Sequence, residues 1–172
     1  MLLRLLHLLG DLREQGILLP ATHQPVPSVG GLEVGAQAPS FSATDYEGSS
    51  VQLEDLQGQQ RILAFISPDC SACAGATEAL RTLTRDERNL KVLLIGDTNS
   101  EANRLYAAER DIQIPILTPP PDLAKKVYQI QGVPFVFVID SAGIIRAKGI
   151  VNQREQLQSL LRDALAPLPV SR

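Results

Sequence analysis

Nearly unbroken apolar runs alternate along this chain with stretches in which apolar residues recur every three or four positions. The runs Arg61-Ile62-Leu63-Ala64-Phe65-Ile66, Leu90-Lys91-Val92-Leu93-Leu94-Ile95-Gly96 and Phe135-Val136-Phe137-Val138-Ile139 have strand length and predict buried strands. After the first run, Ala72, Ala76, Ala79, Leu80 and Leu83 fall on one stripe of a helix expected to reach about Arg88. Asn99 or Ser100 can cap a second helix holding Ala102, Leu105 and Tyr106. A short strand is expected over Ile114–Leu117. Prolines 119–121 then open a helix with Leu123, Ala124, Val127 and Tyr128 inside.

Leu157, Leu160, Leu161, Ala164 and Leu165 mark a last helix, with Asn152 and Glu155 at capping-box spacing before it and Pro167 and Pro169 stopping it. Two hairpins complete the pattern. One joins the stretch around Phe41–Asp45 to Ser49–Leu53 through a turn carrying Asp45 and Gly48, and Leu53–Gly58 reads as one helical turn closed by glycine. The other turns Phe135–Ile139 at Asp140-Ser141-Ala142-Gly143 into Ile144–Ile150. The order is hairpin, βαβ, an added αβ, α, β-hairpin, α. It predicts an α/β fold whose central mixed sheet is covered on both faces.

The start of the chain is of another kind. From Met1 to Leu19, Arg4, His7, Asp11 and Glu14 recur at helical spacing while leucines fill the other faces. The apolar run is broken too early to span a bilayer, which takes about 20 apolar residues, and no small-residue cleavage site follows it. Two readings stand: an amphipathic helix lying on a membrane or docked on its own domain, or the inner end of a membrane anchor that begins upstream. Pro20, Pro25, Pro27, Gly30, Gly31 and Gly35 follow in a segment that reads as an extended linker. The division expected is 1–32 for the leucine-rich helix and linker, and 33–168 for the folded domain.

With 172 residues, 44% of them hydrophobic, the chain can build one core of ordinary size. A net charge of −3, with no long basic run and few aromatic residues, leaves no electrostatic footprint for nucleic acid. Two cysteines are too few for a disulfide scaffold.

Those two cysteines form Cys70-Ser71-Ala72-Cys73, between a predicted buried strand and a predicted helix. At a helix N-terminus, unpaired N–H groups and the helix dipole favour a thiolate over a thiol, and the spacing lets Cys73 reach back to Cys70. That suits a dithiol cycled between oxidation states, with Cys70 attacking and Cys73 resolving. A structural zinc site needs four ligands, and the only histidines, His7 and His23, lie far upstream. Haem attachment needs His after the second cysteine, where Ala74 stands. An inert disulfide also fits the spacing, although so small a ring constrains the unfolded chain little. No metal or organic cofactor is called for.

The chain resembles thioredoxin-fold proteins of the TlpA/ResA-like thiol–disulfide oxidoreductases, within the AhpC/TSA-like redoxins. The likeness rests on Val34-Gly35-Ala36-Gln37-Ala38-Pro39-Ser40-Phe41 with Asp45-Tyr46-Glu47-Gly48, on Gly58 to Cys73, and on Gly132-Val133-Pro134-Phe135 with Val138-Ile139-Asp140 and Gly143. Ser67-Pro68-Asp69-Cys70-Ser71-Ala72-Cys73 is nearer to the MauD-type (methylamine dehydrogenase maturation) branch than to ordinary thioredoxin.

This resemblance implies a three-layer fold with an N-terminal hairpin and an αβ insertion. It also implies a cis Val133–Pro134 bond and a substrate groove lined by Pro134, Val133, Pro68 and Asp69. It further implies protein thiol or disulfide partners, and a place on the extracytoplasmic face of a bacterial membrane, with the cytoplasm as the alternative. The chain departs from the wider pattern at Asp69, where tryptophan is common, at Glu78, where a helix-kinking proline is found, and at Ala64, where thioredoxin buries an acid. A charged Asp69 beside Cys70 would oppose the thiolate, whereas a solvated or capping Asp69 would not.

Two other functions compete. Peroxide reduction shares the Ala38-Pro39-Ser40-Phe41 entry and places Ser67 three residues before Cys70, but Leu63 stands where its motif has proline. A non-enzymatic maturation or assembly factor would carry the dithiol incidentally.

Overall fold

The computed structural model describes residues 30–87 and 89–168, so the expected N-terminal helix and most of the linker lie outside the described residues. Seven strands form one mixed sheet: β1 (Ser42–Asp45), β2 (Ser50–Gln52), β3 (Arg61–Ile66), β4 (Lys91–Gly96), β5 (Ile116–Thr118), β6 (Phe135–Ile139) and β7 (Ile145–Ile150). Their order across the sheet is β2-β1-β5-β4-β3-β6-β7. β3 runs parallel to β4 in register Arg61↔Lys91 to Ile66↔Gly96, and antiparallel to β6 on its other side. β7 closes one edge antiparallel, and the β1–β2 hairpin closes the other through β5. This is the thioredoxin-like arrangement, with the added αβ unit and the N-terminal hairpin in place.

β3 is buried along its whole length because it lies between two parallel or antiparallel neighbours and beneath both layers. Its alternate residues divide the core. Ile62, Ala64 and Ile66 point to one face, where they meet residues of three helices, α1 (Cys73–Asp86), α2 (Ser100–Glu109) and α3 (Arg154–Ala164). Leu63 and Phe65 point to the other, into a cluster with Phe41, Leu53, Tyr128, Phe135 and Phe137. That second face is covered by a 3₁₀ turn at Leu53–Leu56, a five-residue π-helical turn at Leu123–Val127 and the extended segment from Gly30 onward. Packing reaches back to Gly30 and Gly31, both buried, with the Gly31 N–H donating to the Gln129 carbonyl at 2.9 Å.

Several local expectations shift. α1 ends at Asp86, and the short strand occupies Ile116–Thr118 rather than Ile114–Leu117. The helix expected after the prolines shrinks to the π-helical turn. Proline cannot donate to a helix, and Asp122, at φ 66°, breaks the approach with a left-handed residue. Val127 is consequently exposed rather than inside. In the last helix Leu157 and Leu160 are buried, but Leu165 is 78% exposed because α3 has already ended at Ala164. The capping box is also displaced by one residue: Gln156, not Glu155, reaches back to accept from the Asn152 N–H at 2.6 Å. In α2, Asn99 caps as its sequence suggests, accepting from the Ala102 N–H at 2.9 Å, while Leu105 faces solvent.

Candidate redox site

β3 delivers the chain from the middle of the sheet straight to the cysteines. Ser67 is still buried, Pro68 is half-buried and Asp69 is exposed. A turn follows, with the Cys70 N–H donating to the Ser67 carbonyl and the Cys73 N–H to the Cys70 carbonyl, both at 3.1 Å. Cys73 is the first residue of α1. Cys70 therefore stands just ahead of the N-terminus of α1, the positive end of its dipole.

The two sulfurs are joined as a disulfide, with the Cα atoms 5.3 Å apart. Their surroundings differ sharply. Cys73 is fully buried in the apolar cluster beneath α1, and Cys70 is half-exposed. The Cys73 N–H points at the Cys70 sulfur from 3.2 Å. That is the donor a thiolate at Cys70 would use once the disulfide opens. On its outer side the Cys70 sulfur lies 3.7 Å from the Val133 carbonyl oxygen. Val133–Pro134 is a cis peptide bond, as the resemblance implies. Val133 is half-buried and Pro134 buried.

The four expected groove residues thus occupy the two loops that flank the disulfide, with Pro68 and Asp69 on the β3 side and Val133 and Pro134 before β6. Asp69 does not cap α1, whose cap position is Ala72. Further along α1, Glu78 and Arg81 pair with each other at 2.9 Å on the surface. The hydrogen bond from Arg81 holds the Glu78 carboxyl below the usual carboxylate range.

Three residues at this site escape a reading based on apolar stripes. Thr77 is buried in the middle of the stripe, and its hydroxyl lies 3.1 Å from the Cys73 carbonyl and 3.0 Å from that of Ala74. Its oxygen is also 3.4 Å from the Tyr106 hydroxyl of α2, so α1 and α2 share a polar contact one turn beyond the disulfide. Threonine four residues after a cysteine in a helix is a signal for this back-bonding to a carbonyl. Gly75 and Asn152, brought together from distant parts of the chain, carry no such signal. Beneath the cysteines, Ala64 is fully buried and apolar, so no acid occupies that position. Among the described residues no cluster of His, Cys, Asp and Glu could hold a metal ion.

A sheet of this order, with a two-cysteine disulfide between its central strand and a helix, defines a class: the thioredoxin-fold thiol–disulfide oxidoreductases. Within it the chain belongs to the AhpC/TSA family, which it matches over residues 34–148. It is 30% identical over 162 residues to the methylamine utilization protein MauD of Paracoccus denitrificans, covering 90% of this chain and 78% of that one. It is 26% identical over 135 residues to the thiol-disulfide oxidoreductase ResA of Bacillus cereus, covering 76% and 78% of the two chains. Among solved structures, the thioredoxin domain of a thiol-disulfide oxidoreductase from Bacteroides vulgatus superposes with a TM-score of 0.66. It has 23% identity and covers 74% of this chain and 97% of that one, a likeness in fold.

Proposed function

We propose that the protein exchanges its Cys70–Cys73 disulfide or dithiol with cysteines of partner proteins, through a mixed disulfide at Cys70. The observation that carries this reading is the asymmetry of the pair: Cys70 is half-exposed with a backbone N–H 3.2 Å from its sulfur, and Cys73 is sealed. In the oxidising direction a substrate thiolate attacks the Cys70 sulfur. The Cys70–Cys73 bond breaks, and Cys73 leaves as a thiolate that takes up a proton. A second substrate thiolate then attacks the substrate sulfur of the mixed disulfide, and Cys70 departs. Two electrons pass to the pair, and the substrate gains a disulfide. The reverse sequence reduces a substrate disulfide, with Cys73 attacking Cys70's sulfur to release the product.

Pro134 and Val133 form one wall of the substrate groove in this reading and Pro68 with Asp69 the other, all within the loops that flank Cys70. Peroxide reduction has less support, because Leu63 is a buried core residue in β3 where that chemistry's motif has proline. The decisive variant is Cys73→Ser. It retains the attacking sulfur and loses the resolving one, so it should accumulate covalent, reductant-sensitive complexes through Cys70. Absence of such complexes in a lysate rich in protein disulfides contradicts the mechanism.

We further place the protein on the extracytoplasmic face of a bacterial membrane, held by its leucine-rich start. No helix among the described residues is long and apolar enough to cross a membrane. Gly30, where the described chain begins, packs against Gln129 and Gln131, two residues before the Val133–Pro134 loop. A tether leaving there would hold the groove close to the surface it binds. Co-sedimentation with lipid vesicles should depend on residues 1–29, and equal sedimentation without them contradicts the placement.

A further inference from the structure

The first turn of α1 is crossed at very close range by the loop that joins β7 to α3. Gly75 lies in that turn, and a Cβ built on it would overlap the backbone carbonyl oxygen of Asn152. The obstacle is main chain, so no side-chain rotation relieves it. Only glycine lets the two backbones meet this way. The loop is held down from both ends. Val151 is buried in the same apolar cluster as Cys73, and the Asn152 N–H is tied to the Gln156 side chain of α3 at 2.6 Å.

We propose that Gly75 is a positioning residue for disulfide exchange. It admits the Val151–Gln153 loop against α1 and so roofs the Cys73 sulfur, leaving Cys70 as the one sulfur an incoming thiolate can reach. This rests on the dithiol-exchange reading and adds what enforces its direction of attack. Buried sulfur and half-exposed sulfur are only three residues apart, so helix geometry alone gives little protection to the second. The apolar cluster that buries Cys73 also takes in Val151 of the loop and Tyr106 of α2, residues far from it in the sequence. During resolution a sealed Cys73 meets only the Cys70 sulfur. It forms no adduct with a second partner or a small oxidant.

The test uses the full chain carrying Cys70→Ser, so that Cys73 is the only thiol, and reads its rate of alkylation by iodoacetamide. Cys73 should react at least about tenfold more slowly than in the same chain unfolded in urea, the protection expected of a group reached only by opening. Adding Gly75→Ala should raise the native rate by about tenfold or more through displacement of the loop. Gln156→Ala should raise it less, by freeing Asn152. These increases should be flat at low urea, as for local opening. A variant that merely destabilises the fold would instead show a rate rising with urea along the global unfolding slope.

If Gly75→Ala does not fold, Gln156→Ala decides alone. The proposal is overturned if Cys73 alkylates at the unfolded rate in the parent, or if the folded loop variants leave its rate unchanged or raise it only along the global slope. Exchange activity of the unmodified protein is a separate measurement. Its absence would sink the functional reading and leave the seal standing.

Discussion

The two ends of β3 make an instructive pair. At its start, beside the β6–β7 turn, a groove of about 900 Å³ opens between Leu83, Leu90, Leu161 and Leu165, with Asp140 and Arg146 on its wall. By shape it is the more inviting place for a ligand. Asp140 and Arg146, however, already engage the backbone around them, with the buried Arg146 Nε left without a partner among the described residues. Asp140 accepts from the N–H groups of Ala142 and Ile144 at 3.0 and 2.9 Å, and Arg146 donates to the Ala166 carbonyl at 2.7 Å. At the other end of the same strand stands a half-exposed sulfur with a backbone donor aimed at it. Concavity therefore sits at one end of the sheet and reactivity at the other, and for exchange between proteins reactivity is what counts.

That contrast can be broken by changing each end in turn. The larger effect on function belongs to the cysteines: Cys73→Ser should end multiple turnover while leaving the first attack by Cys70 intact, read as loss of steady-state disulfide exchange with retained single-hit complex formation. The smaller effect belongs to the groove end. Asp140→Ala leaves two backbone N–H groups of the β6–β7 turn without their acceptor and should cost about 1–3 kcal/mol of stability in denaturant unfolding. The exchange rate of the remaining folded protein should not move. If Asp140→Ala slowed exchange in proportion to its loss of stability or beyond, the two ends would be coupled, and the division drawn between them would fail.

Much of this was legible in the chain. Strand β3 carries six consecutive buried residues, and a run that apolar has one reading once turn residues bound it. The disulfide position followed from the same logic, because Cys70 comes directly after that strand. Local signals with a mechanism also held, such as Asn99 at its cap and Asp45, whose carboxylate accepts from the Glu47 and Ser49 N–H groups in the first hairpin turn.

What the pattern misjudged lies at the ends of elements and where a partner comes from far along the chain. Leu165 fits the stripe of α3 by periodicity, yet the helix stops one residue short of it. Leu123–Val127 has helical spacing but follows three prolines and a left-handed Asp122. Gly75 looks like a weak point in a helix when read alone. Its use appears only when Asn152, 77 positions later in the sequence, is laid against it.

The most direct test is disulfide exchange against a protein substrate by the full chain and by its Cys70→Ser variant, with folding of both checked by their unfolding transitions. The account predicts that the variant unfolds cooperatively and exchanges no faster than the uncatalysed background. A folded Cys70→Ser protein that retains the exchange rate of the parent would contradict it.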